Sequence, residues 1–312
     1  MSRAEPAIGA SYLACRQMSR RAGSNFYPCF LLLPKPKRRA MDALYAFTRH
    51  TDDLTDNAEP APVRREALAR WRASLEAALS GDLDGWGNAD SGEDRRGGPD
   101  RPPREALLPA LADTVARFRI PAEHLFAVID GVAMDLAPAR YDTFDALVSY
   151  CERVASAVGL ACIHIWGFRG DEALEPARKC GIAFQLTNIL RDVREDAQQG
   201  RVYLPREDLE RFGHSVDDLR AGVVDERFDR LMQFEIDRAR RFYHEGAELF
   251  DRLEPDGRRI FGMMITVYHR LLERIGHRPR DVFGGRVALS RWQKLRIAAR
   301  WALLPTGRSA LP

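Results

Sequence analysis

Apolar residues recur at steps of three and four along almost the whole chain, the period of helices that bury one face. The pattern predicts helices over roughly 10–20, 35–57, 62–80, 105–118, 122–136, 143–168, 173–198, 225–252, 256–276 and 290–303. Pro34 and Pro36 mark the head of the second, where a missing backbone donor is harmless, and Thr143 stands ready to cap the sixth. No alternating apolar run is long enough to require a sheet, so the expected class is all-α. One segment departs from the pattern: Gly81 to Pro103 (GDLDGWGNADSGEDRRGGPDRPP) has almost nothing to bury. It is expected to be a flexible insertion in a single domain spanning 1–312, because the apolar faces on either side of it need each other. Weaker breaks fall at Gly170–Asp171, around Gly200–Pro205 and at Gly284–Gly285.

Composition narrows the function. The 312 residues are 45% hydrophobic, enough for a substantial core. With 48 basic and 45 acidic residues the net charge is only +3, which argues against a dedicated nucleic-acid binder. Cys15, Cys29, Cys151, Cys162 and Cys180 are scattered, odd in number and without C-x-x-C spacing, so the thiols read as small apolar residues in a reducing compartment. Met1 to Gln17 lacks the apolar core of a secretory signal, and no run approaches the ~20 apolar residues that span a bilayer. A cytoplasmic protein, at most peripheral to a membrane, is expected. The basic, amphipathic tail from Arg286 to Arg300, with Trp292, Leu295, Ile297 and then Trp301, has two readings: membrane contact, or a last helix packed on the bundle.

Two acidic pairs, Asp52/Asp56 and Asp192/Asp196, carry the candidate chemistry. On a helix, a spacing of four places both carboxylates on one face, where they repel unless a cation joins them. The pattern is common: Asp90/Asp94 and Asp225/Asp229 share it in polar surroundings. The first two pairs differ because each continues an amphipathic helix, after Ala40, Ala43, Leu44 and Phe47 in one case and Ile182, Phe184 and Ile189 in the other. Tyr45, Arg49, Asp52 and Asp56 form one stripe, which suits either a Mg²⁺–diphosphate pocket or an ordinary intrahelical Arg–Asp pair. Gln185, Asn188, Asp192 and Asp196 form a second stripe of oxygen donors suited to Mg²⁺. Arg191, Arg201 and Tyr203 lie beside it, able to bind phosphate.

These residues carry a family resemblance. Ser24-Asn25-Phe26-Tyr27, Leu33-Pro34, Arg38-Arg39-Ala40, Leu44-Tyr45-Ala46-Phe47, Arg49, Asp52-Asp53 and Asp56 resemble the first signature of squalene and phytoene synthases. Gln185, Asn188-Ile189-Leu190-Arg191-Asp192-Val193, Glu195-Asp196 and Gly200-Arg201-Val202-Tyr203-Leu204-Pro205 resemble the second. Arg140-Tyr141, Tyr150-Cys151, Arg153-Val154-Ala155 and Val158-Gly159 look like the family's central helix, and Tyr268, Asp281-Val282-Phe283, Arg286-Val287, Trp292 and Lys294-Leu295 like its closing pattern. Thr48 stands where a Cys is common, and Thr55 where Val or Ile is usual.

The resemblance implies the class I isoprenoid synthase helical bundle around a central cavity, and head-to-head joining of two prenyl diphosphates. It implies Mg²⁺, with Mn²⁺ as a substitute, linked to Asp52, Asp56, Asn188, Asp192 and Asp196. Diphosphate oxygens would meet Arg49, Gln185, Asn188, Arg191, Arg201 and Tyr268, with Tyr45, Arg49 and Tyr203 as catalytic candidates. Phe26, Phe30, Phe47, Val154, Val158 and Leu160 are candidate cavity walls, against the alternative of plain core packing. The Asn188–Asp196 block, Ala155-Ser156-Ala157-Val158-Gly159 and the Asp281–Val287 ending look most like bacterial hopanoid-pathway presqualene diphosphate synthases, which use farnesyl diphosphate. The alternative is a phytoene synthase using geranylgeranyl diphosphate. A non-catalytic assembly factor of the same fold is disfavoured by the four intact aspartates, and a terpene cyclase or chain-elongating enzyme by the R-x-Y-L-P segment. No Rossmann-type glycine fingerprint is present, which removes one kind of NADPH site and leaves NADPH use open.

Overall fold

The computed structural model describes residues 4–22, 27–81, 106–137 and 140–303, with 307, 308 and 311. The segment expected to be an insertion lies, apart from Gly81, outside them, as do Asp90, Asp94 and Phe26. The described chain is helical: α1 (Ala4–Arg21), α2 (Tyr27–Phe30), α3 (Lys35–Asp53), α4 (Ala61–Ser80), α5 (Leu108–Phe118), α6 (Ala122–Met134), α7 (Phe144–Cys151) and α8 (Ala157–Trp166). Then follow α9 (Leu174–Gln198), α10 (Arg206–Arg211), α11 (Val216–Ala221), α12 (Glu226–Gly246), α13 (Leu249–Arg252), α14 (Pro255–His277), α15 (Asp281–Gly284) and α16 (Arg291–Leu303). Among the described residues there is no strand, only an isolated antiparallel bridge between Phe168 and Leu253. This is the all-α bundle that the apolar spacing predicts.

Local chemistry explains the boundaries. Pro36 sits in the first turn of α3, and Thr143 caps α7 by accepting the Ala146 N–H at 3.3 Å. The expected helix 35–57 stops at Asp53. The side chains beyond it take over the last carbonyls: Thr55 Oγ1 donates to the Asp52 carbonyl at 3.0 Å, and Asn57 Nδ2 to those of Asp53 and Leu54. The expected helix 225–252 likewise divides after Gly246 into α12 and α13.

The helix expected over 143–168 is the centre of the bundle, and it contains a π-helical turn at Glu152–Ser156 between α7 and α8. By length and composition Phe144–Trp166 could cross a bilayer, with a mean hydropathy of 1.4 in its most apolar window, which corrects the expectation that no segment approaches that length. Glu152 and Arg153 interrupt the run of letters but not the average. Half of the window is buried inside the protein, wrapped by α3, α6, α9 and α14, so its apolarity belongs to a core helix. All five cysteines are buried and none forms a disulfide.

A cluster of buried side chains extends from Cys29 to Trp301, and a smaller one joins α1 to α3 and α5 through Tyr12, Cys15, Met18, Ala43 and Ala46. The longest described helix, α9, is held at close range on two sides. A Cβ on Gly181 would lie 2.5 Å from the Ser156 Cα in the π-helical turn, and one on Gly246 of α12 would lie 2.8 Å from the Cys180 nitrogen. In contrast, α3 and α9 hardly touch each other, although both pack on α8. A recess between α3 and α9 is the consequence. Val154, Ala155 and Val158 stay only half buried on a helix wrapped from several sides, as side chains facing such a recess would.

Gly181→Ala is expected to lower stability by about 1–3 kcal/mol, because its methyl meets backbone that cannot rotate away. Urea unfolding checks this, and an unchanged midpoint would show that α9 and the π-helical turn separate freely.

Candidate active site

The ends of α3, α6 and α9 meet the loop 199–205, and five aspartates gather there with arginines and tyrosines. Asp52 lies in the last turn of α3. Asp56 lies beyond the helix, contrary to the expectation of one continuous stripe. Its N–H nevertheless bonds the Asp52 carbonyl at 3.0 Å, so the two carboxylates stay one turn apart. Asp52 is open to solvent yet closely surrounded by protein, the situation of a group on the wall of a recess. That crowding pushes its carboxyl up to about 7, Asp56 adds like-charge repulsion, and Arg49 works against both. Arg49 itself is exposed and pairs with Asp53 at 2.7 Å, so the intrahelical pair does form, with the neighbouring aspartate. Tyr45 is half buried, edge-on to Phe30 at 6.1 Å between ring centres.

The second stripe runs along α9 as expected. Gln185, Asn188, Asp192 and Asp196 are each half buried, flanked by buried Ile189, Leu190 and Val193. Asn188 donates to Gln185 Oε1 at 3.3 Å, while its own Oδ1 is buried without a hydrogen-bond partner. Buried Arg191 grips Asp192 with two donors, Nε at 2.8 Å and Nη2. Tyr268, buried against Phe184, hydrogen-bonds Arg191 and so reaches the site through that guanidinium. Burial pushes the Asp196 carboxyl up to about 7, with Arg201 opposing and Asp192 reinforcing the shift.

One residue ties the two stripes together. Gly200, with φ 78°, turns the chain sharply after α9, and the Arg201 N–H closes on the Asp196 carbonyl at 2.8 Å. This turn aims the Arg201 guanidinium across the recess. Its Nη1 donates to Asp56 at 3.2 Å, its Nε lies 3.9 Å from Asp196 without a hydrogen bond, and Nη2 reaches Gln199.

Other contributors carried no spacing signal. Asp135, just past α6, accepts hydrogen bonds from Tyr203 at 2.8 Å and Tyr150 at 3.0 Å. Burial raises its pKa, the two tyrosines lower it, and its charge is felt at Asp52 and Asp196. Its partners lie 15 and 68 residues away, so nothing periodic marks it. Tyr150 and Tyr203 stack 5.2 Å apart, and Tyr141 joins them. Arg286 approaches Asp192 at 3.5 Å; the sequence showed it only within the closing pattern.

Of the expected wall residues, Phe30, Phe47 and Leu160 are buried in the main core cluster, at 1%, 0% and 3% exposure. Asp225 and Asp229 also have structural duties: Asp225 caps α12, and Asp229 pairs with Arg280.

Among the described residues no three Asp, Glu, His or Cys side chains converge as a closed metal site. The donors present still suit a hard cation. They are carboxylates and an unpartnered amide oxygen, crowded enough that two carboxyls hold protons near neutral pH. Mg²⁺ takes one or two carboxylates and completes its shell with water and phosphate, so an open arrangement of this kind fits it.

The squalene/phytoene synthase family pattern matches residues 19–293. Phytoene synthase of Arthrospira platensis is 37% identical over 298 residues, 91% of this chain and 90% of that protein. The 15-cis-phytoene synthase of Synechococcus elongatus is 35% identical over 306 residues, 94% of this chain and 93% of that protein. Among solved structures, squalene synthase HpnC from Alicyclobacillus acidocaldarius superposes with a TM-score of 0.74 at 27% identity, covering 89% of this chain and 98% of that one. A dehydrosqualene synthase in complex with ligand superposes with a TM-score of 0.79 at 27% identity, covering 96% and 97%.

Tyr203→Phe removes the bond to Asp135 and is expected to cost about 1–2 kcal/mol of stability, measured by urea unfolding with helical content unchanged. No loss of stability would mean that this bond is not formed in solution.

Proposed function

The chain belongs to the squalene/phytoene synthase family, prenyltransferases that condense prenyl diphosphates head to head, and on that premise we propose that it joins two geranylgeranyl diphosphates into phytoene. The observation that carries this choice is the 35–37% identity to phytoene synthases over nine-tenths or more of both chains. It reverses the order of preference drawn from the sequence blocks. Two of those blocks, Asn188–Asp196 and Asp281–Val287, lie beside the acidic stripe of α9, whose diphosphate chemistry both branches of the family would share.

The whole chain acts as one catalytic domain in this reading. Asp52, Asp56, Asn188, Asp192 and Asp196 would hold Mg²⁺ or Mn²⁺, which when bound neutralises the charge developing on a departing diphosphate. Arg49, Arg191 and Arg201 supply phosphate donors, with Gln185 beside them. Arg201 Nε is already without a hydrogen bond, and Tyr268 keeps the Arg191 fork oriented. The allylic C–O bond of one substrate breaks, and the double bond of the other attacks the cation, giving a cyclopropylcarbinyl diphosphate, diphosphate and a proton. Tyr203 has its own proton engaged by Asp135 at 2.8 Å, so toward the substrate its oxygen would act as an acceptor. Tyr45, with Val154 and Val158, helps form the apolar surface that keeps water from the cation. Loss of the second diphosphate and a second proton completes phytoene without a reductant.

The second reading is two farnesyl diphosphates giving presqualene diphosphate or squalene, with NADPH needed for squalene. It is supported by the likeness to the HpnC and dehydrosqualene synthase structures.

Purified protein with Mg²⁺ and each diphosphate, with and without NADPH, is expected to yield phytoene from geranylgeranyl diphosphate and no NADPH-dependent product, by mass spectrometry. Presqualene diphosphate or squalene as the main product would select the second reading, and no turnover beside an active control would end both. Asp52→Asn and Asp192→Asn are each expected to reduce turnover about a hundredfold or more with the circular-dichroism spectrum kept. Activity within a fewfold of the parent would put the metal–diphosphate site elsewhere.

A further inference from the structure

The last helix has two apolar faces. Ser290 and Gln293 start α16 with a reciprocal cap, Gln293 N–H to Ser290 Oγ at 3.2 Å and Ser290 N–H to Gln293 Oε1 at 2.9 Å. The inward face is Ile297 and Trp301, both buried. The Trp301 indole N–H donates to Thr266 of α14 at 3.2 Å, and its ring packs on Phe250. This anchors the helix on the bundle, as one of the two sequence readings expected.

The outward face is the unusual one. Trp292 is 79% exposed, Leu295 57% and Leu303 79%, and exposed Ala299 lies between them. The steps 292, 295, 299 and 303 follow the helical period, so these residues form one continuous stripe on the side opposite Ile297 and Trp301. Arg296 and Arg300 flank the stripe on one side and Arg291 on the other, all exposed. None of the three forms an ion pair among the described residues, and α16 contains no acidic residue. Most of the large apolar side chains that this protein exposes elsewhere, Leu13, Leu31 and Val63, stand singly.

We propose that the outer face of α16 docks on an anionic lipid surface, with Trp292, Leu295 and Leu303 entering the headgroup–acyl boundary and Arg291, Arg296 and Arg300 meeting lipid phosphates. The charge arrangement selects this occupant. A second copy of the same face would set uncompensated arginines against arginines, whereas anionic headgroups neutralise them. Long arginine stems beside an apolar stripe let the guanidinium reach phosphate while the stem stays in the apolar layer. Tryptophan suits the same boundary, with an apolar ring and one N–H donor. The inner anchor on α14 fixes the stripe in place before any membrane is met, so little ordering is required on docking.

The test is sedimentation of the full chain, without substrate, on vesicles of phosphatidylcholine alone and of phosphatidylcholine with about a third phosphatidylglycerol, so that it is independent of the reaction proposed above. Binding is expected on the anionic vesicles, weakening as salt is raised. Trp292→Ser with Leu295→Ser is expected to weaken it roughly tenfold or more, and Arg296→Glu with Arg300→Glu to abolish its preference for anionic lipid. All four positions are exposed, so circular dichroism and turnover of detergent-dispersed substrate stay as in the parent. Absence of vesicle binding, or equal binding by parent and variants, overturns the proposal. So does a dimer by light scattering that Trp292→Ser dissociates, which would assign the stripe to a second copy.

Discussion

Repulsion among crowded carboxylates is the constraint around which this molecule is arranged. Asp52, Asp56, Asp135, Asp192 and Asp196 act on one another where protein crowds them, and desolvation with that repulsion pushes the carboxyls of Asp52 and Asp196 up to about 7. Two unit charges about 4 Å apart cost on the order of 4 kcal/mol at the effective dielectric of such a site. The chain answers with its own cations. Arg191 is committed to Asp192 and fixed by Tyr268, and Arg201 spans from Asp56 to Asp196. On the proposed function these would also be the groups that engage a diphosphate and its metal ions, and the resting contacts would be exchanged for substrate contacts without leaving a charge bare.

Packing keeps the recess open. α3 and α9 carry the two acidic stripes, and both lie on α8 while barely meeting each other. Close glycine contacts hold α9 against the π-helical turn on one side and against α12 on the other. π-helical turns are uncommon and often sit at functional sites, and this one carries Val154 and Ala155 of the half-buried wall of the central helix. Tyr141, Tyr150 and Tyr203 pack ring against ring at the polar end, where Tyr150 and Tyr203 hold Asp135 by hydrogen bonds. One end of the recess is therefore charged and the inner wall apolar, the polarity that a prenyl diphosphate has along its own length.

Much of this was legible in the letters because it is periodic. The all-α class and nearly every long helix follow from three- and four-residue steps, and the polar ladder of α9 stands as the spacing drew it. What failed was not periodic. The end of α3 depends on the side chains of Thr55 and Asn57 bonding backbone carbonyls, which hydrophobic spacing does not register. Phe30 and Phe47 could not be told from cavity walls, since a recess and a core ask for the same apolar residue. Among the acidic pairs, Asp225/Asp229 looks like Asp192/Asp196 in spacing; its polar surroundings set it apart in the sequence, and its cap and its Arg280 partner show its structural duty.

The sequence by itself determined the helices, the two acidic stripes and the family, because each is written in short-range spacing or in ordered blocks of residues. Tertiary structure alone decided that Arg201 joins the stripes, that Asp135 belongs with them and that Arg286 reaches Asp192. It also decided that α16 keeps an apolar stripe outside while Trp301 anchors it within. These are contacts between residues tens to more than a hundred positions apart, or choices between two faces of one helix. Such relations have no period along the chain, and exist only once the helices have packed.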